Sequence, residues 1–466
     1  MKVLFAAAEV APIVKMGGLG DVIGALPKAL SKLKLDCDVI VPFYTTVDVS
    51  KYSFYKHLDL PVTYGGKTYI TQVYRCKLPS SDVDVFLIKQ DDFFDIKKGY
   101  IVNEVVPYSF FCRAVVAFIK EGFNTYDIVH AHDWHTGMLP HLLTDELGES
   151  KPPVLFTIHN ISYQGNTEMM ILKDMDVDPT IHPSVLYDIQ DGFLNFMQEA
   201  IMNADYISTV SPSYASEILF NDISGSLSSI LYDRRSRLTG ILNGIDYEVM
   251  HKDYDSTTWQ SVKQGHKTTL LAKLGITNTE LPLFSYISRL DPNQKGIDIM
   301  YDCIEPIVKD FGTFVLLGTG DPIWEAKLKE LGDALNAKYG AKTSINIQFD
   351  THLADEIYKA SDFFFVPSRF EPCGLTQMMA MYYGALPIVR DTGGLKDSVT
   401  DSVNGFKFKI YSSSDLLATI NRAMKFYANK PVYEKMVTTA LQADYGWESS
   451  ALEYKKLYQT ILKTSE

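Results

Sequence analysis

Short apolar runs rich in β-branched and aromatic residues recur along this chain, and each leads into a glycine or polar turn and then a helical pattern. In the first half they are Lys2 to Ala8, Cys37 to Pro42, Ile128 to Ala131, Val154 to Ile158 and Tyr206 to Val210. The second half repeats the arrangement with Leu283 to Ile287, Thr313 to Leu317, Ile345 to Phe349, Phe363 to Val366 and Leu386 to Val389. Strands alternating with helices make parallel α/β units with helices on both faces of a sheet. At 466 residues the chain exceeds one ordinary core, so two doubly wound domains are predicted. The alternating stretch Tyr52 to Ile88, around Gly65 and Gly66, reads as a hairpin-like insertion in the first of them.

The boundary is placed at ILNGIDYEVMHKDYD, where a strand end, an Asn-Gly turn and a polar linker coincide. This gives domains over 1–243 and 244–446. The segment 447–466 has apolar and aromatic residues at helical spacing, among them Ala451, Tyr454, Tyr458 and Ile461. A net charge of −13 opposes non-specific attraction to nucleic acid or anionic lipid, leaving small or neutral partners. The five scattered cysteines suit a reducing compartment, and neither a signal peptide pattern nor a run long enough for a membrane span is present. A cytoplasmic protein is expected.

Chemistry-bearing residues cluster just after the strands, where an open parallel sheet binds its ligands. After the first strand come Glu9, Lys15, Gly17, Gly18 and a helix starting near Asp21. Two glycines let the backbone approach a diphosphate or sugar and Lys15 adds charge, although a tight strand-to-helix turn accounts for the pattern equally well. The run HAHDWH, His130 to His135, raises a metal site, but no third ligand stands at a zinc spacing and no metal is expected. Asp133, at a strand terminus, reads better as a substrate-facing carboxylate. His159 follows another strand in TIHNISYQG.

In the second half Arg289 and Lys295 share the loop SRLDPNQKG, a plausible diphosphate clamp or a loop of solvated charges. LGTGD, Leu317 to Asp321, suits a ligand or a hinge equally. The densest signal is PSRFEPCGLTQ. There Glu371 precedes a helix expected to begin near Gly374 or Leu375, and Cys373 reads as exposed.

KMGGLGDVIGALP, HAHDWH, TIHNISYQG, TVSPSYASEI, ILNGID, SRLDPNQKG, PSRFEPCGLTQ and TGGLKDSV, in this order, closely resemble the bacterial glycogen synthase and plant starch synthase family. The resemblance runs from Met1 to about Tyr458. It implies a glycosyltransferase B fold, two Rossmann-like domains facing a cleft, with the first on the acceptor side, the second holding the nucleotide sugar, and the chain after Trp447 crossing back. It further implies glucose transfer, with retention, from ADP-glucose to the non-reducing end of an α-1,4-glucan such as glycogen, starch or a maltooligosaccharide, with no cofactor.

By that resemblance Lys15, Gly17 and Gly18 match the donor-binding turn, and Arg289 and Lys295 the phosphate-neutralising pair. Asp133 and His159 match residues near the reacting sugar, and Glu371 the acid beside the donor glucose. Cys373, Gly374, Leu375 and Thr376 would line its hydroxyls and diphosphate, Asn243 the cleft, and Phe349 would stack on the nucleobase. Three departures stand out. SRLDPNQKG is one residue longer than the common form, Gln198 stands where the family usually has lysine, and Met379 occupies the place of a second glutamate found in related retaining transferases. A sucrose or trehalose-phosphate synthase, or a glycan-binding protein without turnover, are the rival readings.

Overall fold

The computed structural model describes residues 1–95, 104–122, 124–277 and 280–465. They form two compact units, one of Met1–Asp246 with Gly446–Glu466 and the other of Tyr247–Tyr445.

The first unit is built on a sheet of β1 (Lys2–Ala6), β2 (Asp36–Pro42), β3 (Tyr55–Tyr64), β4 (Lys67–Lys77), β5 (Asp84–Lys89), β6 (Ile128–His132), β7 (Val154–Ile158), β10 (Tyr206–Thr209) and β11 (Leu238–Gly240). Two short strands, β8 (Asn166–Glu168) and β9 (Phe193–Asn195), pair separately. The sheet runs β11-β10-β7-β6-β1-β2-β5-β4-β3. It is parallel from β11 to β5, and β3 to β5 form an antiparallel meander. Val3, Leu4, Phe5 and Ala6 are wholly buried, the consequence of a parallel sheet covered on both faces. The stretch read as an insertion is this meander, turning at Gly65 and Gly66, whose φ values of +59° and +71° suit a tight hairpin turn.

The helix Trp447–Ser465 lies in this unit against the helix Gly18–Lys32. Tyr458 Oη stands 2.8 Å from His130 Nδ1, and Lys455 Nζ donates to the Leu33 carbonyl at 3.0 Å.

The second unit has an all-parallel sheet of β12 (Leu283–Ile287), β13 (Thr313–Gly318), β14 (Thr343–Ile347), β15 (Phe363–Val366), β16 (Leu386–Arg390) and β17 (Phe406–Phe408), in the order β14-β13-β12-β15-β16-β17. Leu283, Val315 and Leu317 pack with Leu270, Leu271 and Ile357 of the covering helices. In each sheet the strand order reverses at one strand while all the strands there stay parallel, at β1 between β2 and β6 and at β12 between β13 and β15. Loops leaving such neighbouring strands diverge to opposite faces and open a crevice at their carboxyl ends.

Candidate active site

In the second unit the crevice lies between β12 and β15. The loop after β12 carries Arg289 and Lys295, and the loop after β15 carries Glu371. Lys295 Nζ donates to both Glu371 carboxylate oxygens, at 3.0 and 2.8 Å, and Ser368 Oγ donates to one of them at 2.8 Å. Glu371 is buried while Lys295 keeps about a fifth of its side chain exposed. Arg289 donates to Gln294 Oε1 at 3.2 Å and is half-exposed. Within SRLDPNQKG the Lys295 amide donates to the Asp291 carbonyl at 2.8 Å, which closes a turn. Gly296 fixes the end of that turn. Its φ is +72°, and a Cβ there would fall 2.1 Å from the Pro367 carbonyl oxygen.

Arg289, Lys295, Glu371, Gly374, Leu375 and Thr376 all line one cavity of about 180 Å³. The helix behind it begins at Thr376, one or two residues later than expected, because Gly374 takes φ +71° and its carbonyl accepts from Gln377 Nε2 at 2.7 Å. Cys373 is buried rather than exposed: Gly394 packs so closely that a Cβ on it would sit 2.3 Å from the Cys373 carbonyl oxygen. Phe349 does not end a strand. β14 stops at Ile347, and the Phe349 ring is 86% exposed, outside the residues that line the cavity. The glycines of LGTGD serve packing, since a Cβ on Gly318 or Gly320 would meet the Ser288 or Leu290 carbonyl at 2.0 or 2.5 Å. They let the loop carrying Arg289 lie flat against its neighbour.

In the first unit the corresponding crevice lies between β1 and β6. The helix after β1 starts at Gly18 rather than near Asp21, with Gly17 in extended backbone before it. The turn's amides are occupied from within the chain. Glu9, not singled out by the sequence reading beyond its place in the turn, accepts from Met16 N–H and, at 3.1 Å, from Gly17 N–H. Burial raises its carboxyl above the ordinary value, against the lowering by those amides. Lys15 Nζ pairs with Asp21 at 2.7 Å and remains half-exposed. Among the described residues, beyond its chain neighbours and its own helix backbone, no atom lies within 4 Å of where a Gly18 Cβ would stand, so packing does not require glycine there.

Asp133 follows β6 with φ +54°, a left-handed conformation that is strained for a residue bearing a Cβ. One carboxylate oxygen accepts from the amides of His159, at 2.7 Å, and Asn160, at 3.4 Å. Burial nevertheless pushes the Asp133 carboxyl up to about 7. His159 Nε2 stands 2.9 Å from His132 Nδ1, and burial holds both rings below the usual histidine range.

The other histidines of HAHDWH have further partners, although the His130 ring lies only 4.0 Å from that of His132. His130 is held by Tyr458 and by Thr157 Oγ1 at 2.6 Å, and His135 stacks on Trp134. Among the described residues no group of three or more histidines, cysteines, aspartates or glutamates is placed to hold a metal ion. Asn243 is buried, and its Oδ1, like His132 Nε2, has no hydrogen-bond partner among the described residues. Gln198 is buried on the helix Phe196–Asn203.

Comparison with known proteins places these crevices in a family. The starch synthase catalytic domain matches residues 2–233, and the glycosyl transferases group 1 family matches residues 269–441. The chain is 37% identical to a glycogen synthase of Geotalea daltonii, over 99% of each chain. It is also 37% identical to that of Geobacillus stearothermophilus, over 100% of this chain and 99% of the relative. The catalytic domain of starch synthase IV from Arabidopsis thaliana, solved bound to ADP and acarbose, matches with a TM-score of 0.91 at 30% identity over 99% of both chains. Sucrose-phosphate synthase from Thermosynechococcus elongatus shares the fold, with a TM-score of 0.64 at 18% identity. The chain, two α/β units with the glycosyltransferase B fold, belongs to the glycogen synthase and starch synthase family of retaining glycosyltransferases.

Proposed function

We propose that the protein transfers glucose from ADP-glucose to the non-reducing end of an α-1,4-glucan with retention of configuration. The observation that carries this reading is the convergence of Arg289, Lys295 and Glu371 on one cavity at the carboxyl ends of β12 and β15, in a chain related over its full length to glycogen synthases. Breaking the sugar–phosphate bond puts negative charge on the leaving diphosphate and positive charge on the anomeric carbon. Arg289 and Lys295 supply cations for the first, Lys295 turning from Glu371 to the phosphate as donor enters. Glu371, so released, faces the second. Gly374, Leu375 and Thr376 offer backbone and hydroxyl contacts to the sugar and diphosphate, while Cys373 supports them from beneath.

In the first unit, Asp133 and His159 serve the reacting glucose, and Lys15, Gly17, Gly18 and Asn243 the donor. The acceptor hydroxyl then forms its bond to the anomeric carbon on the face that the diphosphate leaves, and its proton passes to the leaving phosphate. The products are the lengthened glucan and ADP. The enzyme works in the cytoplasm, a reading supported by its bacterial glycogen synthase relatives. Among the described residues, no helix is long and apolar enough to cross a membrane.

The deciding experiment measures ADP release from ADP-glucose, and UDP release from UDP-glucose, with and without glycogen, together with lengthening of the glucan. Glucan-dependent ADP release is expected. Nucleotide release without lengthening, or preference for a phosphorylated sugar acceptor, overturns the assignment.

A further inference from the structure

His132 is the last residue of β6, and His159 is the first after β7, the strand paired beside it. Their rings meet nitrogen to nitrogen, His132 Nδ1 to His159 Nε2, at 2.9 Å. At that distance one nitrogen carries the hydrogen and the other accepts it. Burial disfavours the charged form of both rings, so at neutral pH each has a single N–H to place. Two arrangements satisfy this. Either His132 donates and His159 keeps its own hydrogen on Nδ1, or His159 donates and His132 keeps its hydrogen on Nε2.

The two outer nitrogens decide between them. His132 is wholly buried, packed against the rings of Phe5, nearly parallel at 5.8 Å, and of His130, at 4.0 Å. Its Nε2 has no hydrogen-bond partner among the described residues. A hydrogen there would be a buried N–H with nothing to accept it, a group that folded proteins scarcely contain, whereas a bare acceptor nitrogen is the lesser loss. His159 is part-exposed, and no described residue hydrogen-bonds its Nδ1, so an N–H there can be satisfied by solvent or by a ligand. The hydrogen between the rings therefore belongs to His132. Free histidine favours the opposite tautomer, with its hydrogen on Nε2, so His132 imposes on His159 a form the ring does not prefer by itself.

We infer that His132 is a positioning residue for the transfer: its Nδ1–H fixes His159 as the Nδ1–H tautomer, which presents a neutral N–H donor to an oxygen of the reacting glucose. This rests on the reading of His159 as a residue that serves that glucose. A neutral donor suits the place, because it holds a sugar oxygen without setting a positive charge beside the anomeric carbon, where positive charge develops. The ring is also fixed in direction, since the His159 amide is held by Asp133 at 2.7 Å while its Nε2 is held by His132.

The test joins a spectrum to two substitutions in the full chain. Long-range proton–nitrogen correlation on protein carrying nitrogen-15 histidine tells a bare ring nitrogen from a protonated one, and the signals lost in His159→Gln and in His132→Phe assign the two rings. Both wild-type rings should carry hydrogen on Nδ1 and none on Nε2. His132→Phe keeps an aromatic ring against Phe5 and His130 but has no donor, whereas His132→Asn loses the ring and keeps an N–H close to the place of Nδ1. His132→Phe should shift His159 toward the Nε2–H form and lower kcat by about tenfold or more, the cost of a reacting group in the wrong tautomer or slightly turned. Its KM for ADP-glucose should stay within about threefold, since the contact is made chiefly in the transition state. His132→Asn should keep the His159 tautomer and recover most of kcat. A merely structural role reverses that order, because phenylalanine fills the space and asparagine leaves a gap. Hydrogen on Nε2 of wild-type His159 overturns the inference, as does a folded His132→Phe protein at least as active as His132→Asn. If His132→Phe does not fold, the wild-type spectrum still decides. If the wild type releases no ADP from ADP-glucose, the transferase reading fails, and the same spectrum tests the pairing of the two rings without it.

Discussion

Lys295 Nζ bridges both carboxylate oxygens of Glu371, at 3.0 and 2.8 Å, from a loop on the neighbouring strand. Each group neutralises the other in a site where an isolated buried carboxylate would be unfavourable. A donor diphosphate offers Lys295 a second anion, and the exchange would hand the negative charge of Glu371 to the sugar at the moment it is needed.

That exchange makes the pair separable by mutation. Lys295→Ala and Arg289→Ala should each lower kcat/KM by about a hundred- to a thousandfold, the usual effect of removing one preorganised electrostatic contact. Glu371→Gln should cost at least as much. Lys295→Ala should also lose stability, because it strands a buried carboxylate, and Arg289→Ala should not. Turnover by ADP release and thermal melting of the same preparations check both halves. A folded Lys295→Ala protein of near wild-type activity would remove Lys295 from the phosphate-binding role.

If Asp133 serves the reacting glucose as proposed, the reaction should depend on pH. Its carboxyl, pushed up to about 7 by burial, must lose its proton to stabilise a cationic sugar, so kcat/KM should rise through pH ~7 and level off above it. Stability should move the other way. The folded chain keeps this proton up to about pH 7, whereas an unfolded aspartate releases it near pH ~4, so this group's contribution falls as pH rises between those values. Asp133→Asn should therefore flatten the rising limb of activity, lower its plateau, and melt higher than the wild type at pH 8 but not at pH 4. A variant that keeps the limb would assign it to another group.

Much of this was legible because parallel strands buried on both faces leave continuous apolar runs, and residues after such runs sit at the carboxyl edge. β7, β12 and β15 begin and end where the sequence reading places them. β14 was misplaced by two residues because it lies at the sheet's edge. There Thr343 and Ser344 belong to the strand, and the apolar Phe349 merely follows it. Cys373 looked exposed among turn residues because the backbone that covers it, at Gly394, is distant in sequence. The hold of Glu9 on Met16 and Gly17 had no readable spacing signature, since it depends on how the chain folds back between β1 and the next helix.

Phe349 is a large apolar ring with 86% of its surface exposed, an arrangement with a use if a planar base lies on it. Phe349→Ala should leave the melting temperature almost unchanged, because little packing is lost. It should raise the KM for ADP-glucose and narrow the preference for ADP-glucose over UDP-glucose, which in the wild type is expected to be tenfold or more, roughly 1.4 kcal/mol. Steady-state kinetics with both donors decides it. An unchanged ratio clears Phe349 of the role, and equal use of both donors by the wild type overturns the adenine preference itself.

Gly393 sets the position of Glu371 through the backbone. It has φ +46°, and a Cβ there would stand 1.9 Å from the Glu371 carbonyl oxygen, closer than any contact can remain without the backbone moving. The adjacent Gly394 amide donates to that same oxygen at 3.1 Å, so the two glycines and the acid form one rigid junction. Gly393→Ala must push Glu371 away from Lys295 or break the junction, and misplacing a reacting group by about 1 Å can cost about a hundredfold in rate. Activity should fall by at least that much, with a melting temperature lowered by the strain. Gly265→Ala is the contrast. That glycine lies inside the helix Trp259–Lys273 with open space around it, and alanine there should stabilise by about 0.4–1 kcal/mol without touching kcat. Melting curves and ADP-release rates for the pair decide the matter: a Gly393→Ala protein as active as Gly265→Ala would mean that the position of Glu371 is set elsewhere.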